Sequence, residues 1–460
     1  MGMMDNLRSR IVDWLTGGVS KGYEERVDFV MDRREYRMGI QRRFIKTRVG
    51  QANDNLIINY TGLFVDRGVS MLFGKDVKFE YGESEDAQTL IDGIWEGNKK
   101  SILLHRLALM GAEAGHCFLK FVPQEDGGIR LVAVDPSFVD IEADPDDFEN
   151  IIRYTIQYKT FDMDGKEIAK REITQLEESG WVVHSYEANK SGRWEEIGEP
   201  VLWPYEFPPI LDWQNLPNVG DCWGMPDITK DTIELQDRIN FIASNMSKII
   251  RLYAHPKTWG KHLGESKRIE MGPDDIINLG GEGELGQLPP VADMIGSKDF
   301  LLALRQSLFD ITRTVDISSM ADKLGALTNF GLHVLYQDAL SKLETKRGLY
   351  GDALKEANRR LLILSGVEEV ECEVVWEDPL PVNEQEQSQV IQTDLNAGIV
   401  DKETASELRG YDWEIVQERL GNQQSTSADL GAGLLAAFDR NAMNANQKPV
   451  KEQEPLQKVV

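Results

Sequence analysis

The chain has 460 residues, 41% of them hydrophobic, which is enough to bury cores in two or three domains. Its 51 Lys and Arg against 77 Asp and Glu leave a formal net charge of −26, a surface that repels free duplex and makes ordinary electrostatic DNA binding a poor first reading. Cys117, Cys222 and Cys372 lie far apart with no CxxC pair, so neither a disulfide framework nor a cysteine metal site is indicated, and a reducing, intracellular origin is expected.

The opening MGMMDNLRSRIVDWL lacks an apolar core followed by a small-residue cleavage site, so no signal peptide is expected. From 23 to 48 the pattern is helical and basic, with Arg33, Arg34, Arg37, Arg42, Arg43, Lys46 and Arg48. Two readings stay open there: a solvated face paired with Glu24, Glu25, Asp28, Asp32 and Glu35, or a face that contacts phosphates or an acidic neighbouring subunit. Helical patterns follow over 85–97 and 99–114, the second closing at Gly115. His105, Arg106, Glu113 and His116 interrupt the apolar stretch 101–122, which excludes a membrane span.

Strand signals then take over: GHCFLKFV, IRLVAVDP, FVDIEADP, IIRYTIQY, WVVHSYEA and SGRWEEIG, short alternating or β-branched runs with turns at QEDGG and MDG. With no helix between most of them, an antiparallel sheet is expected. The proline-rich, nearly uncharged FPPILDWQNLPNVGDCWGMPDI, residues 207–228, leads into a helical pattern over 226–253. Its apolar residues Ile228, Leu235, Ile239, Ile242, Met246, Ile249 and Tyr253 form one narrow seam on a rod of roughly 40 Å. A second helix over 297–317 carries Leu301, Leu304, Leu308, Ile311 and Val315 in the same rhythm. Gly and Pro crowd 255–296 between them. ISSMADKLGALTNFG reads as a loop, 331–364 as a further long helix closed by Ser365 and Gly366, and VECEVVWEDP as a strand with one wet face. Two or three short helices fill 384–420, and the polar remainder is expected to be disordered apart from a turn at LLAAF.

The chemical motifs fail on context. Gly281, Gly283 and Gly286 have GxGxxG spacing, but Glu282 and Glu284 would face the phosphates and Pro289 and Pro290 stand where the helix should run. GVSMLFGKD, residues 68–76, has one residue too many between Gly68 and Gly74 for a Walker loop and Asp76 in place of a magnesium-holding hydroxyl, so it reads as a strand-edge turn. FDMDGKE opens like a calcium loop but lacks its length, and Asp164 and Gly165 fit a hairpin turn. The six histidines include no pair at i, i+4, and there is no GxSxG elbow. No catalytic residue, metal site or cofactor is expected.

The order of elements resembles the portal proteins of tailed double-stranded DNA bacteriophages from about 50 to 420. NDNLIINYTGLFVDRGVSMLFGKDVKF is similar to the family's opening, with Asn55 or Asn59 before a helix; AEAGHCFLKF, RLVAVDPSFVDI and IIRYTIQY to its wing sheet; FPPILDWQNLPNVGDCWGMPDITKDTIELQDRIN to its entry into a stem helix; LGALTNFGLHVLY to its loop and long helix; and LNAGIVDKETASELRGYDWEIVQERL to its crown. Asn329, Phe330 and Gly331 depart from the small residue pair of many relatives. The resemblance implies an α+β portal fold: an arm over 1–22, a wing over 23–220, a first stem helix over 221–254, a clip over 255–296, a second stem helix over 297–317, a tunnel loop over 318–331, a long wing helix and strand over 332–383, a crown over 384–421 and a tail over 422–460.

It also implies a non-enzymatic, dodecameric ring at one capsid vertex of the virion, assembled in the host cytoplasm, through which the genome is packaged and ejected. The expected partners are further copies of the chain, the terminase large subunit, major capsid and scaffolding proteins, head-tail adaptor proteins and the passing duplex, with no membrane. Met320, Lys323, Leu324 and Leu327 would face the channel, Glu282 and Glu284 would contact motor or adaptor, and Ile228, Leu235, Ile239, Ile242, Met246, Leu304, Leu308 and Ile311 would form the stem seam. Two rival classes stay open: another phage head or tail ring protein without a packaging role, and an enzyme whose nucleotide or metal site is assembled across the fold.

Overall fold

The computed structural model describes residues 21–46, 53–161, 164–189, 191–254, 258–261, 284–287, 295–317, 328–381 and 384–420, and structural statements concern these. The chain divides into one unit ending at Pro381 and a second beginning at Val382.

In the first unit, α1 (Lys21–Arg37) buries Tyr23, Val27, Val30, Arg33 and Tyr36, steps of three and four that place one face on the protein. The helix stops at Arg37, short of the expected 48, and Arg42 and Arg43 lie beyond it. Helix α2 (Tyr60–Phe73) starts where the Asn59 side chain accepts from Gly62 N–H at 3.0 Å, satisfying one of the orphan donors of the first turn. It runs through most of GVSMLFGKD, so that stretch is the end of a helix capped at Gly74 and not a strand-edge turn. Strand β1 (Val77–Glu80) follows, then α3 (Glu85–Gly97), whose Ala87, Ile91 and Trp95 repeat every fourth residue and are fully buried. Helix α4 (Lys100–Ala114) is buried along Leu103, Leu104, Leu107, Ala108 and Gly111.

The strands form separate antiparallel sheets. β2 (His116–Pro123) lies between β3 (Ile129–Val134) and β10 (Ile210–Gln214). β4 (Val139–Asp144), β5 (Asp147–Phe161), β6 (Glu167–Glu177), β7 (Gly180–Ala188) and β8 (Trp194–Glu196) form a meander in chain order, and β9 (Val201–Leu202) pairs with β7. Gly165, at φ +75°, sits in the β5–β6 connection, as the Asp164–Gly165 turn requires. Phe118, Ile141, Tyr154, Ile156, Trp181, Ile210 and Trp223 form a core shared by the two sheets.

Helix α5 (Lys230–Ala254) is about 37 Å long. It begins four residues later than the sequence pattern suggested, because Pro226 to Thr229 belong to the preceding turn. β11 (Thr258–Lys261) pairs with β12 (Glu284–Gln287), and α6 (Ile295–Thr312) returns along α5. Helix α7 (Asn329–Leu364) is capped by Thr328, whose hydroxyl accepts from Gly331 N–H at 3.1 Å, and spans about 54 Å. β13 (Glu373–Trp376) closes the unit by pairing with β1. A larger core joins α2, α3, α4 and the last half of α7 around Trp95, whose indole N–H donates to Asn358 Oδ1 at 2.7 Å. The second unit holds α8 (Glu384–Ala397), α9 (Lys402–Glu407), capped by Asp401, and a helical stretch over 413–420.

Candidate functional site

The turn over 215–228 joins the sheet to α5, and it is fastened to the end of α4. Helix ends leave carbonyls without intrahelical partners. Here Ala112 O accepts from Asp227 N–H at 2.9 Å, Ala114 O from the Trp223 indole at 2.7 Å and Gly115 O from Asn215 N–H at 2.9 Å. The crossing is so close that a Cβ on Gly115 would run into the Gly224 carbonyl, and one on Gly224 into the Gly115 carbonyl. Gly115 also takes φ +84°, closed to most side chains. Glycine at 115 and 224 thus lets the end of α4 and the turn before α5 cross backbone against backbone.

Buried polar groups complete the junction. His116 stacks on Trp223, accepts from Gly224 N–H through Nδ1 at 3.4 Å and donates from Nε2 to Asp212 at 2.8 Å. Tyr154 OH donates to the same carboxylate at 2.6 Å. Burial alone would raise the Asp212 pKa, yet the His116 hydrogen bond and the neighbouring charges hold it below the ordinary value. From α7, Arg360 donates to Pro208 O and Ile210 O at 3.1 and 2.9 Å, and Tyr350 OH donates to Asn215 Oδ1 at 3.0 Å.

One face of α5 carries a row of polar residues that the apolar seam concealed. Gln236, Asn240 and Ser244 are buried, spaced four apart, and meet the extended backbone of 56–60. Tyr60 N–H donates to Gln236 Oε1 at 3.2 Å, Ile58 N–H to Asn240 Oδ1 at 3.0 Å and Leu56 N–H to Ser244 Oγ at 2.9 Å. Gln236 Nε2 returns a bond to Ile58 O at 2.7 Å. Arg251 ends the row with a two-pronged contact to Asp54, both bonds 2.6 Å. Among the described residues no strand pairs with this extended segment, and these side chains replace one.

Where α2, the end of α6 and α7 meet lies a cavity of about 370 Å³. At its floor Asp227 takes Lys342 Nζ at 2.8 Å and Lys346 Nζ at 2.5 Å. Burial would raise the Asp227 pKa, but the two ammonium groups hold it far below the carboxylate range; burial pulls Lys346 down against the opposing pull of Asp227. The walls are Leu63, Met71, Val315 and Tyr336, with Arg67 and Arg313 beside them. Arg313 follows the last residue of α6 at φ +55°, a left-handed conformation that costs a non-glycine residue about 1 kcal/mol. The turn is a Schellman closure, Thr314 N–H to Phe309 O at 2.9 Å and Arg313 N–H to Asp310 O at 3.1 Å, with arginine where glycine is usual. Among the described residues, the Arg313 guanidinium meets no acceptor. Arg67 Nη1 donates to Val315 O at 2.8 Å and Arg305 pairs with Asp316 at 2.6 Å, tying the exit from α6 to α2 and to α6 itself.

The residues singled out in the sequence fall as follows. Ile239 is fully buried on α5, while Leu235, Ile242 and Met246 are half-buried. Ile228 is fully buried but precedes the helix, its carbonyl accepting from Arg33 Nε at 2.8 Å. On α6, Leu308 is buried and Leu304 half-buried, but Ile311 is 48% exposed, since Phe309 and Thr312 occupy the inner face; Val315 lies past the helix end. Glu284 is the exposed first residue of β12, opposite Lys261. Glu282, Met320, Lys323, Leu324 and Leu327 lie outside the described residues. The arginines of α1 are committed inward: Arg34 and Arg37 to the buried Glu113, Arg34 also to Asp135, Arg26 to Asp140. Arg34 and Arg37 therefore do not belong to a solvated face, whereas Arg42, Arg43 and Lys46, beyond the helix, are exposed and Arg48 lies outside the described residues.

Among the described residues no group of three or more His, Cys, Asp or Glu could hold a metal ion, and no helix is long and apolar enough to cross a membrane. The family described as "Phage portal protein, SPP1 Gp6-like" matches residues 21–409. No curated protein matches the chain. Two solved structures, described as "Neck of empty GTA particle computed with C6 symmetry" and "Virion of native gene transfer agent (GTA) particle", are each similar at TM-score 0.45 and 13% identity, covering 76% of this chain and 89% of theirs.

Proposed function

We infer the function from one premise: this chain belongs to the SPP1 Gp6-like phage portal protein family. That makes it a structural protein of a phage or phage-like particle and the subunit of a homo-oligomeric ring. The finer reading is ours. About twelve copies form a closed ring at one capsid vertex, the genome enters and leaves through its axis, the terminase large subunit docks on the outer end, and adaptor proteins later close it.

In this reading α5 and α6 are the stem, the paired strands β11 and β12 belong to a clip that contacts motor and adaptor through Glu282 and Glu284, and α8 and α9 belong to a crown. Met320, Lys323, Leu324 and Leu327 project into the channel, with Lys323 touching phosphates in passing. The junction at 215–228 supports this assignment physically, because a ring needs every stem helix at one tilt and its hydrogen bonds to the end of α4 leave little freedom. The net charge of −26 supports it too, since a negative wall avoids the counterion-release affinity that would stall a moving duplex.

The observation that carries the reading is the family match over 21–409. Negative-stain images of the purified protein are expected to show rings with an axial hole. A monomer at every protein concentration and ionic strength would overturn it.

A further inference from the structure

We propose that the cavity between α2, α7 and the turn after α6 is a socket that receives an acidic projection from a second copy of this chain, with Arg313 as the residue that grips it. The proposal rests on the ring reading above and says where one contact of that ring lies. The cavity floor holds two ammonium groups for one carboxylate, so it keeps an excess of positive charge. Arg67 and Arg313 at the walls outweigh the one further carboxylate there, Asp66, so the lining as a whole stays positive. Such a site stands out in a chain whose net charge is −26, and another copy of that chain is an abundant source of carboxylates.

The backbone of Arg313 supplies the second observation. Glycine is the residue that suits φ +55°, yet arginine is there, its guanidinium without an acceptor among the described residues. The exposed guanidinium is therefore available to a group from outside the subunit. Leu63, on the wall, is 37% exposed and Tyr336 half-buried, apolar surface that an entering side chain would cover. Size selects the occupant as well: about 370 Å³ takes a few side chains and cannot admit a duplex.

Two experiments test this. Tyr336→p-benzoylphenylalanine in the full chain, irradiated after ring assembly, is expected to give covalent dimers of the chain, with the crosslinked peptide of the second copy rich in Asp or Glu. Rings that form but crosslink only within one chain, or to DNA or another protein, would overturn the socket and leave the ring reading standing. Failure of the unmodified chain to form rings would overturn the ring reading and this one with it. In parallel, Arg313→Glu is expected to raise the concentration for half-assembly by about tenfold, an effect that weakens at high salt. Arg313→Gly separates strain from contact: monomer stability should hold or rise while assembly weakens by roughly threefold. Unchanged assembly in both Arg313 variants would refute the gripping role.

Discussion

Asp227→Asn removes the carboxylate that Lys342 and Lys346 share. Deleting one partner of a buried ion pair costs about 3–5 kcal/mol, because the remaining charge stays in a poor solvent. The Lys346 side chain is 6% exposed and that of Lys342 21%, so Lys342 can turn to water while Lys346 cannot, which places the loss near 4 kcal/mol, to the nearest whole number. The assay is urea unfolding at pH 7, followed by the emission of the buried Trp213 and Trp223. A second change, Lys346→Met, removes the stranded charge and keeps the aliphatic stem; Asp227→Asn with Lys346→Met should recover about half of the loss. The pH dependence has a defined sign. In the native chain the depressed Asp227 carboxyl contributes stability in full above its unfolded value of about 3.9, lost as pH falls through its lower folded value. Lys346 has a lowered folded value, so between that value and about 10.4 the unfolded chain binds the extra proton and stability rises with pH. Without Asp227 the folded value drops further, and the deficit of Asp227→Asn should narrow from pH 7 to 9. A loss under about 1 kcal/mol at pH 7, or a double variant no more stable than the single, would refute this account of the cluster.

Gly115→Ala forces a Cβ into the Gly224 carbonyl and a side chain into φ +84°, and is expected to cost about 3 kcal/mol by thermal unfolding; a variant as stable as the parent would show the crossing can relax. Gly68→Ala is the control, since nothing lies within 4 Å of a Cβ there, and inside α2 it should gain about 0.5–1 kcal/mol. Asn240→Leu should cost about 1–3 kcal/mol and speed amide exchange at Ile58 at least tenfold by mass spectrometry; unchanged exchange would mean the row on α5 does not hold that segment.

Much of the architecture is legible in the sequence because long helices and half-buried strands announce themselves by period. The helices at 85–97 and 331–364 follow from apolar spacing, and β2 to β5 from alternation bounded by Asp, Gly and Pro. Strand β6 escaped notice: in REITQLE charged residues stand on both faces, since one of them, Arg171, bonds to Gln157 on the neighbouring strand. The row of Gln236, Asn240 and Ser244 was invisible for a related reason. Polar side chains on a helix signify solvent unless their partner is known, and the partner is main chain about 180 residues earlier. The end of α6 at Thr312 could not be read either, because arginine ordinarily continues a helix. The cavity cluster joins Asp227 to residues more than a hundred positions away, a pairing that one-dimensional pattern does not carry.

The row on α5 works as a vernier. Four helical residues advance about 6.0 Å and two extended residues about 6.6 Å, so successive rungs at 236, 240 and 244 keep pace with 60, 58 and 56 while slipping by roughly 0.6 Å each. The next contact skips to Arg251, whose length absorbs the accumulated offset on the way to Asp54. Two scales that match over so short an interval have one coincident setting. Sliding the helix by a single turn, about 5.4 Å, would align every amide with the wrong acceptor, so the row indexes α5 to one axial position along the segment before α2.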